Sequence, residues 1–162
     1  MAERKPRQML AESLKVLIVE SRRHEAVADE LLVGAKAALA EAKAEYDLIF
    51  VPGPLEIPTV VAMADQDAHR PAGVRYDGYV ALGCVLHDPS VGSDITATHC
   101  VRSLMDLAAG RRMAIGIGVL TVQDEAQALG LAKLAGGDAG GAAARACLAL
   151  IAARRKLVGQ AP

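Results

Sequence analysis

The chain has 162 residues, a length typical of one domain with a substantial core. Apolar residues make up 52% of it, aromatic residues only 2%, and the formal net charge is −1. A nucleic-acid surface needs a basic stripe and stacking aromatics, so this composition argues against one. No apolar run approaches the roughly 20 residues that span a bilayer, yet the mean hydropathy is +0.26. We therefore expect no nucleic-acid or membrane partner, and a homo-oligomer that buries the surplus apolar surface between its subunits.

Three cysteines, Cys84, Cys100 and Cys147, show no Cys-x-x-Cys or Cys/His spacing that would suggest zinc. We expect them to be buried, reduced thiols of a cytoplasmic protein. The first residues carry charge but no apolar segment follows, so they do not form a secretory signal. We expect residues 1–12 to be a flexible tail that could pair as an edge strand with a neighbour. Residues 13–158 should form one domain, and residues 159–162 a C-terminal tail.

Short apolar runs rich in β-branched residues predict four strands, at residues 14–19, 47–51, 78–86 and 113–121. Apolar residues at helical spacing predict five helices, at residues 25–45, 55–64, 94–109, 124–134 and 142–157. Residues 20–24 should form a polar loop, and residues 136–141 a glycine-rich break. Strands that alternate with helices predict a parallel sheet covered on both faces. The expected fold is thus α/β, a flavodoxin-like three-layer αβα sandwich with a four-stranded parallel sheet.

One stretch, residues 76–94, carries the strongest functional signal. The apolar run Gly78–Leu86 ends in a polar turn, His87–Ser90, and a helical pattern opens at Asp94. In open α/β sheets, ligands bind outside the carboxyl ends of the strands. A helix N-terminus also offers unpaired N–H groups and partial positive charge, which favour phosphate. The stretch therefore predicts a site for a small anionic ligand.

Several motifs on these elements resemble those of one family. They are the run VPGPLEIP at residues 51–58, the strand ending ALGCVL at residues 81–86, GVLT at residues 118–121 followed by EAQA at residues 125–128, and LLxGA at residues 31–35. In this order they are similar to those of the lumazine synthases of riboflavin biosynthesis.

The resemblance implies a transferase that condenses 5-amino-6-(ribitylamino)uracil with 3,4-dihydroxy-2-butanone 4-phosphate to give 6,7-dimethyl-8-ribityllumazine. It implies small-molecule substrates and neither metal nor redox cofactor. It also implies sites between adjacent subunits of a pentamer, which stays alone, pairs into a decamer or builds an icosahedral cage of sixty chains. The short 136–141 segment carries no insertion, which weakly favours a shell.

Position by position, the resemblance assigns pyrimidine binding to two stretches: Pro54, Leu55 and Glu56, and Cys84, Val85 and Leu86. Glu56 also suits this role physically, because a carboxylate at a helix start can accept from ring N–H groups or ribityl hydroxyls. The phosphate turn falls on Pro89 and Ser90.

The chain departs from the family pattern at four positions of this same site. The family's catalytic histidine falls on Gly92, the stacking aromatics on Arg23 and Ile117, and the phosphate-binding arginine on Leu131. Pro89 removes a backbone donor from the phosphate turn, and Asp88 adds a negative charge there. His24 or His87 could supply a proton or a phosphate contact instead, Arg23 could bind an anion or stack on a ring, and Lys133 could reach phosphate.

Three functions fit this pattern. The first is a lumazine synthase, slowed by the substitutions, because proximity alone supplies much of the rate of a two-substrate condensation. The second is a catalytically impaired relative that keeps the assembly or shell. The third is a small-molecule binder whose pocket is retuned for another ligand. The family resemblance favours the first.

Overall fold

The computed structural model describes residues 13–90 and 92–159. The tail predicted at residues 1–12 and most of the one predicted at 159–162 lie outside these residues. Four strands are present: β1 (Lys15–Ser21), β2 (Glu45–Val51), β3 (Gly78–Leu86) and β4 (Ile115–Val122). Five helices are present: α1 (Glu25–Glu41), α2 (Glu56–Asp67), α3 (Ser93–Arg111), α4 (Glu125–Ala132) and α5 (Ala139–Leu157). The predicted α/β order is confirmed.

The four strands form one parallel sheet in the order β2-β1-β3-β4. From β1 the chain moves outward to β2, then returns past β1 to place β3 and β4 on the other side. The direction of winding therefore reverses between β1 and β3, whose carboxyl ends lie side by side. In open α/β sheets such a reversal leaves a crevice between the connections, and ligands bind in it.

Two apolar cores cover the two faces of the sheet. Alternate side chains of β1 point to opposite faces, so Ile18 packs under α1, α4 and α5, whereas Val19 packs under α2 and α3. β3 contributes to both cores through Leu82 and Ala81 and is buried almost throughout, as expected for a central parallel strand. The three-layer sandwich predicted from the sequence is confirmed. Among the described residues, no helix has the length and apolar character that a membrane crossing requires.

The glycine-rich break predicted at residues 136–141 is shorter than expected, because α5 already begins at Ala139. Gly140 lies in its first turn, where a Cβ atom would overlap the backbone carbonyl of Leu31 in α1. Gly116 of β4 is packed in the same way against the carbonyl of Ala143 in α5. These glycines therefore let α5 approach α1 and the sheet closely, rather than interrupting the helix.

Other boundaries also differ from the prediction, among them the ends of β1 and α1. Glu20 and Ser21, expected in a polar loop, continue β1 and are buried, because the Glu20 carboxylate is paired with Arg22 and the strand stays in register with β2. Helix α1 ends at Glu41, four residues early. Lys43 adopts a left-handed conformation with φ of 53°, and the Ala44 N–H donates back to the Leu39 carbonyl, which ends the helix and starts β2.

Candidate active site

A cavity of about 270 Å³ opens at the carboxyl ends of β1 and β3, where the winding reverses. Its walls come from the β1–α1 connection, the β2–α2 connection, the end of β3 and the start of α3. The lining residues are Arg23, His24, Pro54, Cys84, Val85, Leu86, Asp88, Ser93 and Thr96. Six of these nine were predicted from the sequence, so the structure gathers three separate predicted stretches around one cavity.

The β1–α1 wall presents a cation and an imidazole. His24 is the residue before helix α1, and Arg23 precedes it. Arg22, the residue before Arg23, fixes the backbone of this connection. Its guanidinium lies 2.8 Å from Glu20 Oε1 and 2.7 Å from Asp29 Oδ1. The same guanidinium lies 5.3 Å from the centre of the Phe50 ring on β2. The short connection is thus tied to β1, α1 and β2 at once.

Glu20 is the buried end of this ion pair. Its side chain is fully buried, and its pKa is raised because burial disfavours the charged carboxylate more than Arg22 stabilises it. Within residues 13–90 and 92–159, the second carboxylate oxygen, Oε2, has no hydrogen-bond partner. Buried carboxylate oxygens seldom lack a hydrogen-bond partner.

The apolar wall comes from the end of β3 and from Pro54, which lies in the β2–α2 connection. Cys84 is 4% exposed, and burial raises the pKa of its thiol to about 11. The thiol is therefore protonated at neutral pH and acts as a small apolar group rather than a nucleophile. Together with Val85 and Leu86 it offers a surface suited to one face of a flat heterocycle.

The turn after β3 is closed by its own hydrogen bonds. The Asp88 carboxylate accepts from the Ser90 N–H at 2.9 Å and from the Ser90 hydroxyl at 2.6 Å. The Asp88 N–H donates to Ser93 Oγ at 2.8 Å, and the His87 N–H donates to the Val122 carbonyl at 2.7 Å. Pro89 has no N–H. The bonds from Ser90 lower the pKa of Asp88, so its carboxylate is charged at neutral pH.

Helix α3 starts beside this turn at Ser93, and Gly92 before it adopts a left-handed conformation with φ of 64°. Ser93 is buried beneath the turn, and Thr96 lies one helical turn further on. Both line the cavity. The sequence prediction named neither residue. The sequence did contain a signal for them: the two residues are spaced i, i+3 at the start of a predicted helix that borders the predicted crevice.

Other predicted site residues do not line this cavity. Leu55 and Glu56 follow Pro54 and are exposed at the start of α2, while Pro89 and Ser90 are exposed in the turn. His87 is also exposed, with Nδ1 3.4 Å from Asp94 Oδ1. Three more residues, Ile117 of β4, Leu131 of α4 and Lys133 after α4, are absent from the lining of the chain's own cavity. Within one chain, then, the cavity brings together only part of the predicted site.

The cavity can bind a flat ring on its apolar wall and can place an imidazole and a guanidinium at one side of it. Arg23 supplies positive charge and Asp88 negative charge, so the lining is mixed in sign. In the described part of the chain, no group of three or more His, Cys, Asp or Glu side chains could hold a metal ion. The apolar wall, the Arg23 guanidinium and the His24 imidazole suit binding, orientation and proton transfer.

The chain is similar to proteins of one family over most of its length. A family model described as 6,7-dimethyl-8-ribityllumazine synthase matches residues 13–155. A 6,7-dimethyl-8-ribityllumazine synthase of Bartonella tribocorum is 48% identical over 87% of this chain and 90% of that protein. That of Agrobacterium fabrum is 47% identical over 89% and 97%, and 6,7-dimethyl-8-ribityllumazine synthase 1 of Rhizobium meliloti is 46% identical over 88% and 92%. The chain therefore belongs to the 6,7-dimethyl-8-ribityllumazine synthase family.

Proposed function

We propose that this chain condenses 5-amino-6-(ribitylamino)uracil with 3,4-dihydroxy-2-butanone 4-phosphate to form 6,7-dimethyl-8-ribityllumazine at the cavity between β1 and β3. The observation that carries the proposal is the convergence of predicted stretches on this cavity. Arg23 and His24 come from the β1–α1 connection, Pro54 from the β2–α2 connection, and Cys84–Leu86 from the end of β3. They meet at the position where the winding of this fold leaves room for a ligand.

The residues present can support the reaction by binding and orientation. The amine of the first substrate condenses with the ketone of the second with loss of water, phosphate is eliminated, and the ribitylamino nitrogen closes the ring with loss of a second water. Holding two reactants in an attack geometry can contribute roughly 7–11 kcal/mol to lowering a barrier. The apolar wall with Val85 and Leu86 would hold the pyrimidine ring, and the Arg23 guanidinium would stack on it or pair with the phosphate.

His24 is the side chain best placed for proton transfer. It lines the cavity and is half-buried at the start of α1, whereas His87 is exposed and faces Asp94. A positioned general acid–base contributes about 10²–10⁴-fold to a rate. We assign that role to His24, and we assign His87 only a contact beside the phosphate turn.

We further propose that a second copy of the chain completes each site in a cytoplasmic pentamer, alone, paired or built into a shell. The cavity of about 270 Å³ lies just below the roughly 300–1,000 Å³ of most ligand pockets, although two substrates must enter it. Ile117, Leu131 and Lys133 would then face a neighbour's cavity. Exposed apolar residues on the edge strand β2, Ile49 at 41% and Phe50 at 55%, support burial between subunits.

The test is a direct assay with a matched pair of variants. Purified protein is mixed with both substrates, and the fluorescence of the lumazine is followed against the uncatalysed rate. We expect a saturable rate above background that falls about 10²-fold or more in His24→Ala and less than about threefold in His87→Ala. A background rate from folded, assembled protein would refute the proposed function. Equal losses in the two variants would refute the assignment of His24.

A further inference from the structure

The hydrogen-bond donors of the turn His87–Ser90 are already bonded to acceptors of the chain itself. Its three backbone N–H groups donate to Val122 O, to Ser93 Oγ and to the Asp88 carboxylate, and the Ser90 hydroxyl also donates to Asp88. Of these four donors, two are therefore held by one carboxylate of the same turn. That carboxylate lies at the edge of the cavity.

We propose that Asp88 determines substrate specificity by acting as an internal competitor of the phosphate group. Its Oδ1 atom takes the Ser90 N–H and hydroxyl at 2.9 and 2.6 Å, which are the distances at which an incoming phosphate oxygen would take them. A phosphoryl group must displace this carboxylate to reach the same donors. This inference rests on the proposed function, because it assumes that the phosphorylated substrate is the one that meets this turn.

Two physical effects act in the same direction. The donors of Ser90 are unavailable while the Asp88 carboxylate holds them, and the carboxylate itself repels a dianion that approaches within a few ångströms. The Asp88 backbone N–H is fixed to Ser93 at the same time, so the turn keeps its shape. Asp88 should therefore weaken binding of the phosphorylated substrate and leave binding of the pyrimidinedione unchanged.

The variant Asp88→Asn keeps a neutral acceptor of the same length for Ser90 and removes the charge, whereas Asp88→Ala also frees both donors. We expect the KM for the ketose phosphate to fall about tenfold in Asp88→Asn, equivalent to about 1.4 kcal/mol, and further in Asp88→Ala. The KM for the pyrimidinedione should stay within about twofold of the wild-type value. This split separates a specificity role from general damage to the site.

Asp94→Asn is the matched control. Asp94 is a neighbouring exposed carboxylate that contacts His87, but it holds neither donor of Ser90. We expect its KM for the ketose phosphate to change less than threefold. A drop equal to that of Asp88→Asn would overturn the proposal, since the effect would then belong to any carboxylate near the turn and not to Asp88 in particular.

Inorganic phosphate provides a readout that does not need turnover. Titration of each folded variant with phosphate, followed by the ³¹P signal and by the melting temperature, should give a dissociation constant about tenfold lower in Asp88→Asn than in the wild type. If no variant formed lumazine but phosphate bound more tightly to the Asp88 variants, the role of Asp88 would stand and the proposed function would fail. Unchanged phosphate affinity in both Asp88 variants would overturn the inference, whatever the catalytic rate.

Discussion

Replacing Gly92 by histidine tests the position at which the resemblance in sequence places the family's catalytic histidine. Gly92 adopts φ of 64° at the start of α3, a conformation that costs a residue with a Cβ atom about 1–2 kcal/mol. A Cβ built there meets its nearest atom, Ile95 Cδ1, at 3.7 Å, which is an ordinary contact. Backbone strain is therefore the main penalty of adding a Cβ atom, and no side chain must move to admit that atom.

The expected loss of stability can be worked out from that strain. A change of 1 kcal/mol shifts the melting temperature of a domain of this size by about 2–4 °C, so Gly92→His should melt about 2–8 °C below the wild type. Gly92→Ala, which carries the same strain without an imidazole, should melt at a similar temperature. Both are compared at one protein concentration, because assembly makes the melting temperature depend on concentration.

The two variants should differ in rate. An imidazole that reaches the reacting atoms contributes about 10²–10⁴-fold, so we expect kcat for lumazine formation to be at least about 10²-fold higher in Gly92→His than in Gly92→Ala. If the two rates were equal, the position would not face the reacting atoms in this chain. If neither variant lost stability, the left-handed conformation at Gly92 would be wrong.

Three more predictions concern groups around the site and the packing beneath it. Because burial raises the pKa of Glu20, the folded protein binds its proton more tightly than the unfolded chain. The stability that this proton supplies is lost as pH rises above about 4.5, so the melting temperature of Glu20→Gln relative to wild type should increase from pH 4.5 to pH 8. Gly116→Ala should lower the free energy of unfolding, measured in urea, by about 3 kcal/mol or more, because its Cβ would overlap the Ala143 carbonyl. The control is Gly110→Ala in α3, where the Cβ meets open space, so this variant should be as stable as the wild type or slightly more stable. Cys84, whose pKa rises from 9.0 to about 11, should react with iodoacetamide at pH 7.5 at least about 100-fold more slowly than it does in urea.

The fold follows from the sequence because its signals are local and repeated. The run Gly78–Leu86 is apolar throughout, and β3 occupies those same residues in the structure. The crevice could also be predicted, since the carboxyl ends of parallel strands meet at one edge of the sheet. The burial of Glu20 could not, because a carboxylate in a polar run is typical of a loop. Only the fold brings Arg22 and Asp29 together around that position.

The hydrogen bonds of the turn His87–Ser90 could not be predicted from the sequence for a similar reason. The letters His-Asp-Pro-Ser show that one N–H is missing and one charge is added, but they do not show which acceptor each remaining donor meets. In the structure the added carboxylate binds the donors of Ser90, and Ser93 fixes the Asp88 N–H. The Asp88 carboxylate, which should hinder phosphate binding, thus also holds the turn together. Its removal should therefore improve phosphate binding only while Ser93 keeps the turn in place, so Ser93→Ala should abolish the gain that Asp88→Asn produces.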